Sequence, residues 1–176
     1  MPGVTMNSEQ KTVALGAASG VVLMALSVWL LMGVLPAPKL PDLLGERLAY
    51  ALRANLVAII PFVVMIVTVG NSRFLSEAID PTRHAESRAL LIDGRVADNT
   101  LQQNFIFALA SLTLSTVLPL QQLQLVWACA IVFSVARAVF WLGYRISPLY
   151  RAPGMAATGY LNLGMIFYLL FKLLVR

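Results

Sequence analysis

Five long apolar stretches dominate the chain, at about residues 12–35, 48–70, 96–118, 123–144 and 155–174, with charges and prolines as punctuation between them. A helix rising 1.5 Å per residue needs about 20 apolar residues to cross the hydrocarbon core of a bilayer, and each stretch reaches that length. Pro36, Pro38 and Pro41 break the first connection, and Pro119 marks a tight turn between the third and fourth stretches. The pattern predicts an all-α, polytopic membrane bundle. A barrel strand would alternate apolar and polar positions, whereas Ile59 to Val69 is apolar at nearly every position. The first stretch, about 24 residues, exceeds the usual 7 to 15 of a secretory signal and is predicted to remain as a membrane helix.

Composition narrows the class further. Hydrophobic residues make up 59% of the 176 and charged residues only 12%, with a mean hydropathy of +0.80. A soluble domain has no interior large enough to hide that surface, and a disordered chain lacks it. The net charge of +5 does not indicate nucleic acid, because the 13 Lys and Arg lie scattered between apolar runs instead of forming one patch. Cys129 is the sole cysteine, which excludes an intramolecular disulfide and leaves a metal cluster unsupported.

Basic residues near the ends of the stretches predict orientation. Lys11, Arg73, Arg83, Arg88, Arg95, Arg145 and Arg151 fall on one side, and Lys39, Arg47, Lys172 and Arg176 on the other. The excess predicts a cytoplasmic N-terminus and an external C-terminus, in a bacterial inner membrane or a eukaryotic endomembrane. Residues 71–94 then form the main cytoplasmic loop, solvated and of mixed charge, with room for one short helix. His84, the only histidine, reads as plain loop surface.

Polar residues inside the apolar stretches carry the functional information, since an Arg or Asp at the centre of a membrane helix costs about 2.5 to 3.5 kcal/mol even on insertion scales. The third stretch opens with Arg95, Asn99 and Gln102 at i, i+4 and i+7, a single polar stripe on a helix. Such a stripe serves either a ligand or interhelical hydrogen bonds. Arg137 stands in the fourth stretch, with Phe140, Trp141 and Tyr144 on its face and Asp98 as its expected carboxylate partner. Arg53 is placed to snorkel out of the second stretch, where Pro61 is expected to kink the helix. Gly16 and Gly20 form a GxxxG pattern that permits close helix approach.

These spacings resemble the signature of the MAPEG family, the membrane-associated proteins of eicosanoid and glutathione metabolism. Arg95, Asn99 and Gln102 match its R-x3-N-x2-E element with Gln in place of Glu, and Arg137, Tyr144 and Arg151 match R-x6-Y-x6-R. The resemblance covers about residues 50–176. It divides the chain into 1–47, a tail with an extra transmembrane helix and a Pro-rich connection, and 48–176, a four-helix domain. The extra helix is similar to the arrangement of the family's mattrin-like branch.

What the resemblance implies is a homotrimer that holds glutathione as co-substrate between subunits near the cytoplasmic face, acting as a transferase or peroxidase on a small lipophilic substrate from the membrane lipid. Arg95 would grip a glutathione carboxylate, Asn99 would offer its amide, and Tyr144 would hydrogen-bond the tripeptide. Arg151 would be the catalytic residue, a fixed cation that favours the thiolate, against an apolar wall of Val132, Phe133 and Phe140. Arg137 and, by position alone, Arg73 complete the expected ligand set. Gln102 lacks the charge for glutathione's ammonium group, and Phe140 lacks the hydroxyl of the tyrosine found there in several members. Both substitutions suit an alternative in which the same fold is non-catalytic and the polar residues lock subunits together.

Overall fold

A computed structural model describes residues 6–83 and 85–175, so His84 and Arg176 lie outside the described residues. Five helices make up the fold: α1 (Ser8–Val34), α2 (Leu44–Phe74), α3 (Arg88–Val117), α4 (Gln124–Ile146) and α5 (Ala152–Leu174). Short 3-10 turns cover Glu77–Ile79, Pro81–Arg83 and Leu120–Gln122. No strand occurs among the described residues, and the all-α polytopic class predicted from the pattern holds.

Four helices are long and apolar enough to cross a membrane: α1, α2, α5, and α4 together with the turn before it. The fifth, α3, has 30 residues but is too polar to qualify. Its inward face carries Asp93, Thr100, Asn104, Ser111 and Ser115, all buried, while Leu91, Leu101, Phe105 and Leu109 point outward. Packed against α2, α4 and α5, α3 turns its buried polar residues toward other helices, while its outer side mixes these apolar residues with exposed Arg95, Asp98 and Gln102.

Several helices outrun the apolar stretches, and at the starts of α1 and α3 a side-chain cap, not hydropathy, sets the end. α3 starts at Arg88, eight residues before the expected position, since the Ser87 hydroxyl accepts a hydrogen bond from Leu90 N–H at 3.2 Å. α2 begins at Leu44 without a side-chain cap, takes Glu46 and Arg47 inside it, and continues through Pro61 to Phe74. The expected loop therefore shrinks to residues 75–87. At the start of α1, Asn7 and Gln10 exchange side-chain-to-backbone bonds of 2.8 and 2.9 Å in a capping box.

Contacts between helix ends define two ends of the bundle, a proximal one where α1, α3 and α5 begin and a distal one where they finish. At the distal end, Arg47 donates through Nη1 to the carbonyls of Ser115 (3.0 Å) and Leu118 (2.7 Å) and pairs with Asp42. A cation there meets both the unpaired carbonyls and the negative end of the α3 dipole.

Small residues bring the helices close. A Cβ on Gly20 would lie 2.2 Å from the Pro153 carbonyl oxygen, and one on Gly16 would lie 3.3 Å from the Ala152 side chain. The GxxxG pair is thus the seat of α1 on α5. Gly154 does the same between α5 and α4, where a Cβ would come within 2.4 Å of Ala136 O and Phe140 N. Ala51, Ala54 and Ala58 are buried on α2, and Phe107 meets Phe133 at 4.6 Å between ring centres.

Candidate functional site

The inward face of α3 organises a column of polar groups running through the bundle. At its proximal end Asp93, 1% exposed, accepts from Arg145 Nε (2.8 Å), Arg145 Nη2 (2.6 Å) and Trp141 Nε1 (2.7 Å). The Arg145 guanidinium also lies over the Trp141 ring at 4.8 Å. Burial alone would raise the Asp93 carboxyl; the hydrogen bonds and charge of Arg145, with the Trp141 N–H, outweigh it and hold the group below its ordinary range. Sequence reading placed Asp93 in a loop. It lies three residues before buried Val96 and seven before Thr100, so extending that face backwards would have put it inside.

Further along the column sits Arg137, fully buried. Its guanidinium donates to Thr100 Oγ1 from Nε (3.1 Å) and Nη2 (2.6 Å), to Asn99 Oδ1 from Nη2 (2.9 Å) and to Thr158 Oγ1 from Nη1 (3.2 Å). It rests on the Phe140 ring at 4.1 Å. The expected partner, Asp98, is not used: it is exposed on the other side of α3, and no carboxylate lies within 4 Å of Arg137 among the described residues. Thr100 precludes that pair geometrically, because position 100 rather than 98 shares the inward face with 93, 96 and 104. Arg137 is a cation solvated entirely by hydroxyls, an amide oxygen and an aromatic face.

Trp141 and Tyr144, expected around Arg137, serve other cations instead. Trp141 belongs to Asp93 and Arg145, and Tyr144 carries Arg151 over its ring at 4.9 Å. Past Arg137 the column continues with Asn162, whose Nδ2 donates to the Gln103 carbonyl (3.1 Å) and Oε1 (2.9 Å), then with Asn55 on Ser111 (2.9 Å). Sequence reading missed Thr158 and Asn162. Their signal was the i, i+4 spacing of two polar side chains in an otherwise apolar α5.

The stripe expected at 95, 99 and 102 divides. Arg95 and Gln102 are exposed on the outer side of α3, whereas Asn99 is half-buried at its edge with Oδ1 occupied by Arg137. The Asn99 Nδ2 has no acceptor among the described residues. Arg151 and Tyr144 lie together at the proximal end, but nothing in the single chain joins them to Arg95. Arg73 is bound to Glu86 at 3.0 Å. Of the apolar wall, Phe133 and Phe140 are buried in the core, and Val132 lines an apolar groove of about 490 Å³ between α1, α4 and α5. Arg53 is exposed, as snorkelling requires. The single chain thus builds one internal polar column and leaves the remaining polar groups facing outward.

No family model matches the chain, and no solved structure does. Among characterised proteins it is 27% identical over 139 residues to Transmembrane protein 79 of Mus musculus, covering 79% of this chain and 35% of that protein. The Bos taurus protein of the same name is 28% identical over 138 residues, covering 77% and 34%. The chain spans about a third of the length of the curated relatives it matches. Together with the four apolar helices, these likenesses define an integral membrane protein.

Proposed function

We propose that the protein is a MAPEG-like homotrimer that binds glutathione at subunit boundaries and conjugates it to, or uses it to reduce, a lipophilic electrophile. The reading rests chiefly on Gln102, which stands at the midpoint of α3 yet faces outward, one turn beyond Asp98 and two beyond Arg95. Polar side chains at that depth need a protein or ligand partner, because lipid offers none. A second copy covering this face would bring another cationic end, with its Arg151 and Tyr144, toward Arg95 and the unfilled Asn99 amide. Two carboxylates of a tripeptide would find guanidiniums there, and a fixed cation would stabilise its thiolate.

Isothermal calorimetry of the detergent-solubilised protein tests this directly. Saturable binding of glutathione supports the reading; no heat at millimolar glutathione sinks it.

The hydrogen bond from Arg137 to Asn99 favours a second reading, in which the polar residues are structural and the fold is non-catalytic. In that case the outward stripe only joins subunits, and the protein forms trimers that bind no glutathione.

A further inference from the structure

Where α1 crosses the start of α5, a cleft of about 300 Å³ opens beside the proximal end. Val13 and Ala17 of α1 form one wall, Ala152, Met155 and Ala156 of α5 the other, and Arg151 is the only charged residue lining it. Three of these positions are alanine, so the space exists because the side chains are short. The walls are fixed, since Gly16 and Gly20 seat α1 against Ala152 and Pro153 next to the cleft.

Arg151 is exposed and has no carboxylate within 4 Å among the described residues; its guanidinium carbon lies over the Tyr144 ring, 4.9 Å from the ring centre. Its N–H donors meet no acceptor among the described residues and are open to an anion. Tyr144, Arg145, Tyr150 and Arg151 gather at this level, the combination of tyrosine and arginine that marks the boundary between headgroups and hydrocarbon. An apolar cleft capped by a single unpaired cation at that depth matches one kind of molecule, with an acyl chain below and a negative charge above.

We infer that this cleft binds one anionic phospholipid, its phosphate on the Arg151 edge and an acyl chain between α1 and α5. A bidentate guanidinium–phosphate contact supplies the preference for charge, and the alanine-lined walls supply the fit. The site depends on α1 for half of its wall, so α1 would be held to the bundle partly through lipid. This inference draws on the same Arg151 as the glutathione reading but does not rest on it, and it is measured by lipid retention, not by glutathione binding or conjugation, so either can fail alone.

Native mass spectrometry after reconstitution into nanodiscs of equal phosphatidylcholine and phosphatidylglycerol tests it. The wild type is expected to retain one phosphatidylglycerol per chain at least tenfold more often than phosphatidylcholine. Ala156→Leu, and from the opposite wall Ala17→Leu, should lose bound lipid while melting within a few degrees of the wild type. Arg151→Gln should keep bound lipid but lose the preference for phosphatidylglycerol. Equal retention of both lipids by the wild type overturns the inference, as does undiminished retention in whichever alanine variant stays folded. Displacement by millimolar inorganic phosphate would also overturn it, because the anion alone would then be the ligand.

Discussion

Asp93 and Arg145 lie 52 residues apart in the chain and close a two-point carboxylate–guanidinium pair, 2.6 and 2.8 Å, at the proximal end of α3 and α4. Trp141 makes the third bond to the same carboxylate. Since Asp93 is buried while Arg145 remains partly exposed, the two partners are not equivalent. Asp93→Asn keeps an oxygen for the indole N–H but removes the charge and one acceptor from a partly exposed Arg145, whereas replacing Arg145 strands a buried charge. Asp93→Asn should cost about 1 to 3 kcal/mol and lower the melting temperature in detergent by several degrees. Arg145→Ala should cost more than Asp93→Asn, because the uncompensated carboxylate stays inside.

The same pair sets a pH dependence. Its folded-state pKa is depressed below the ordinary 3.8, so the pair adds stability above that value and loses it as pH falls through the folded pKa. Melting temperature should therefore be level toward neutral pH as far as this group is concerned and decline below about pH 4. The Asp93→Asn variant should show a shallower acid decline. An identical decline in both proteins would remove Asp93 as its source.

How much of this could be read beforehand depends on which physical signal each residue carries. Hydropathy marked out α1, α2, α4 and α5 as continuous apolar runs, whereas α3, taken as a fifth such run, is too polar to cross a membrane by composition and is a helix whose polar face other helices cover. It misplaced the start of α3, because Asp93 and Arg95 interrupt the apolar run after Leu90–Ile92, while the Ser87 cap starts the helix ahead of them. Arg137 was recognisable as an interior cation from its place in the fourth run. Its partners were not, since proximity to an acid in sequence suggested Asp98 while helical phase selects Thr100. Asn99 stands out in sequence as a polar group in the third stretch, yet which way its amide oxygen points depends on α4, which spacing within α3 cannot report. Arg95 and Gln102 remain on an open face, where a single chain supplies no partner.

Gly20 makes a sharp test of how α1 is held. A methyl group there would meet the Pro153 carbonyl at 2.2 Å, a contact that forces the two backbones apart. Gly20→Ala should destabilise the bundle by about 1 to 3 kcal/mol and expose the connection at residues 35–43 to protease. Gly33→Ala is the control, because nothing lies within 4 Å of its added Cβ. Equal protease resistance in both variants would show that α1 does not depend on this contact.

Arg137 separates folding from binding. Thr100 and Thr158 donate their own hydroxyls to the carbonyls of Val96 and Gly154, so removing the guanidinium leaves Asn99 Oδ1 as the main acceptor without a donor. Arg137→Met should fold with stability within about 2 kcal/mol of the wild type, since a buried charge replaced by an apolar side chain of similar length often costs little. If glutathione uses the Asn99 amide, freeing that amide should weaken binding about tenfold by calorimetry. A folded Arg137→Met protein with unchanged affinity would remove Asn99 from the ligand set.

Gln102→Glu distinguishes the two functional readings most directly. The residue is exposed in the single chain, so the substitution leaves the internal column intact and acts only on whatever covers the outer face of α3. If that partner is the ammonium group of glutathione, a carboxylate adds charge assistance to an existing hydrogen bond. An advantage of about 1.4 kcal/mol corresponds to roughly tenfold tighter binding. If the partner is instead a neighbouring subunit, the new charge near Asp98 brings like charges together at membrane depth. Trimers seen by native electrophoresis should then dissociate, with no gain in glutathione affinity. Tighter binding in an intact trimer supports the weakened enzyme, and loss of the trimer supports the structural protein.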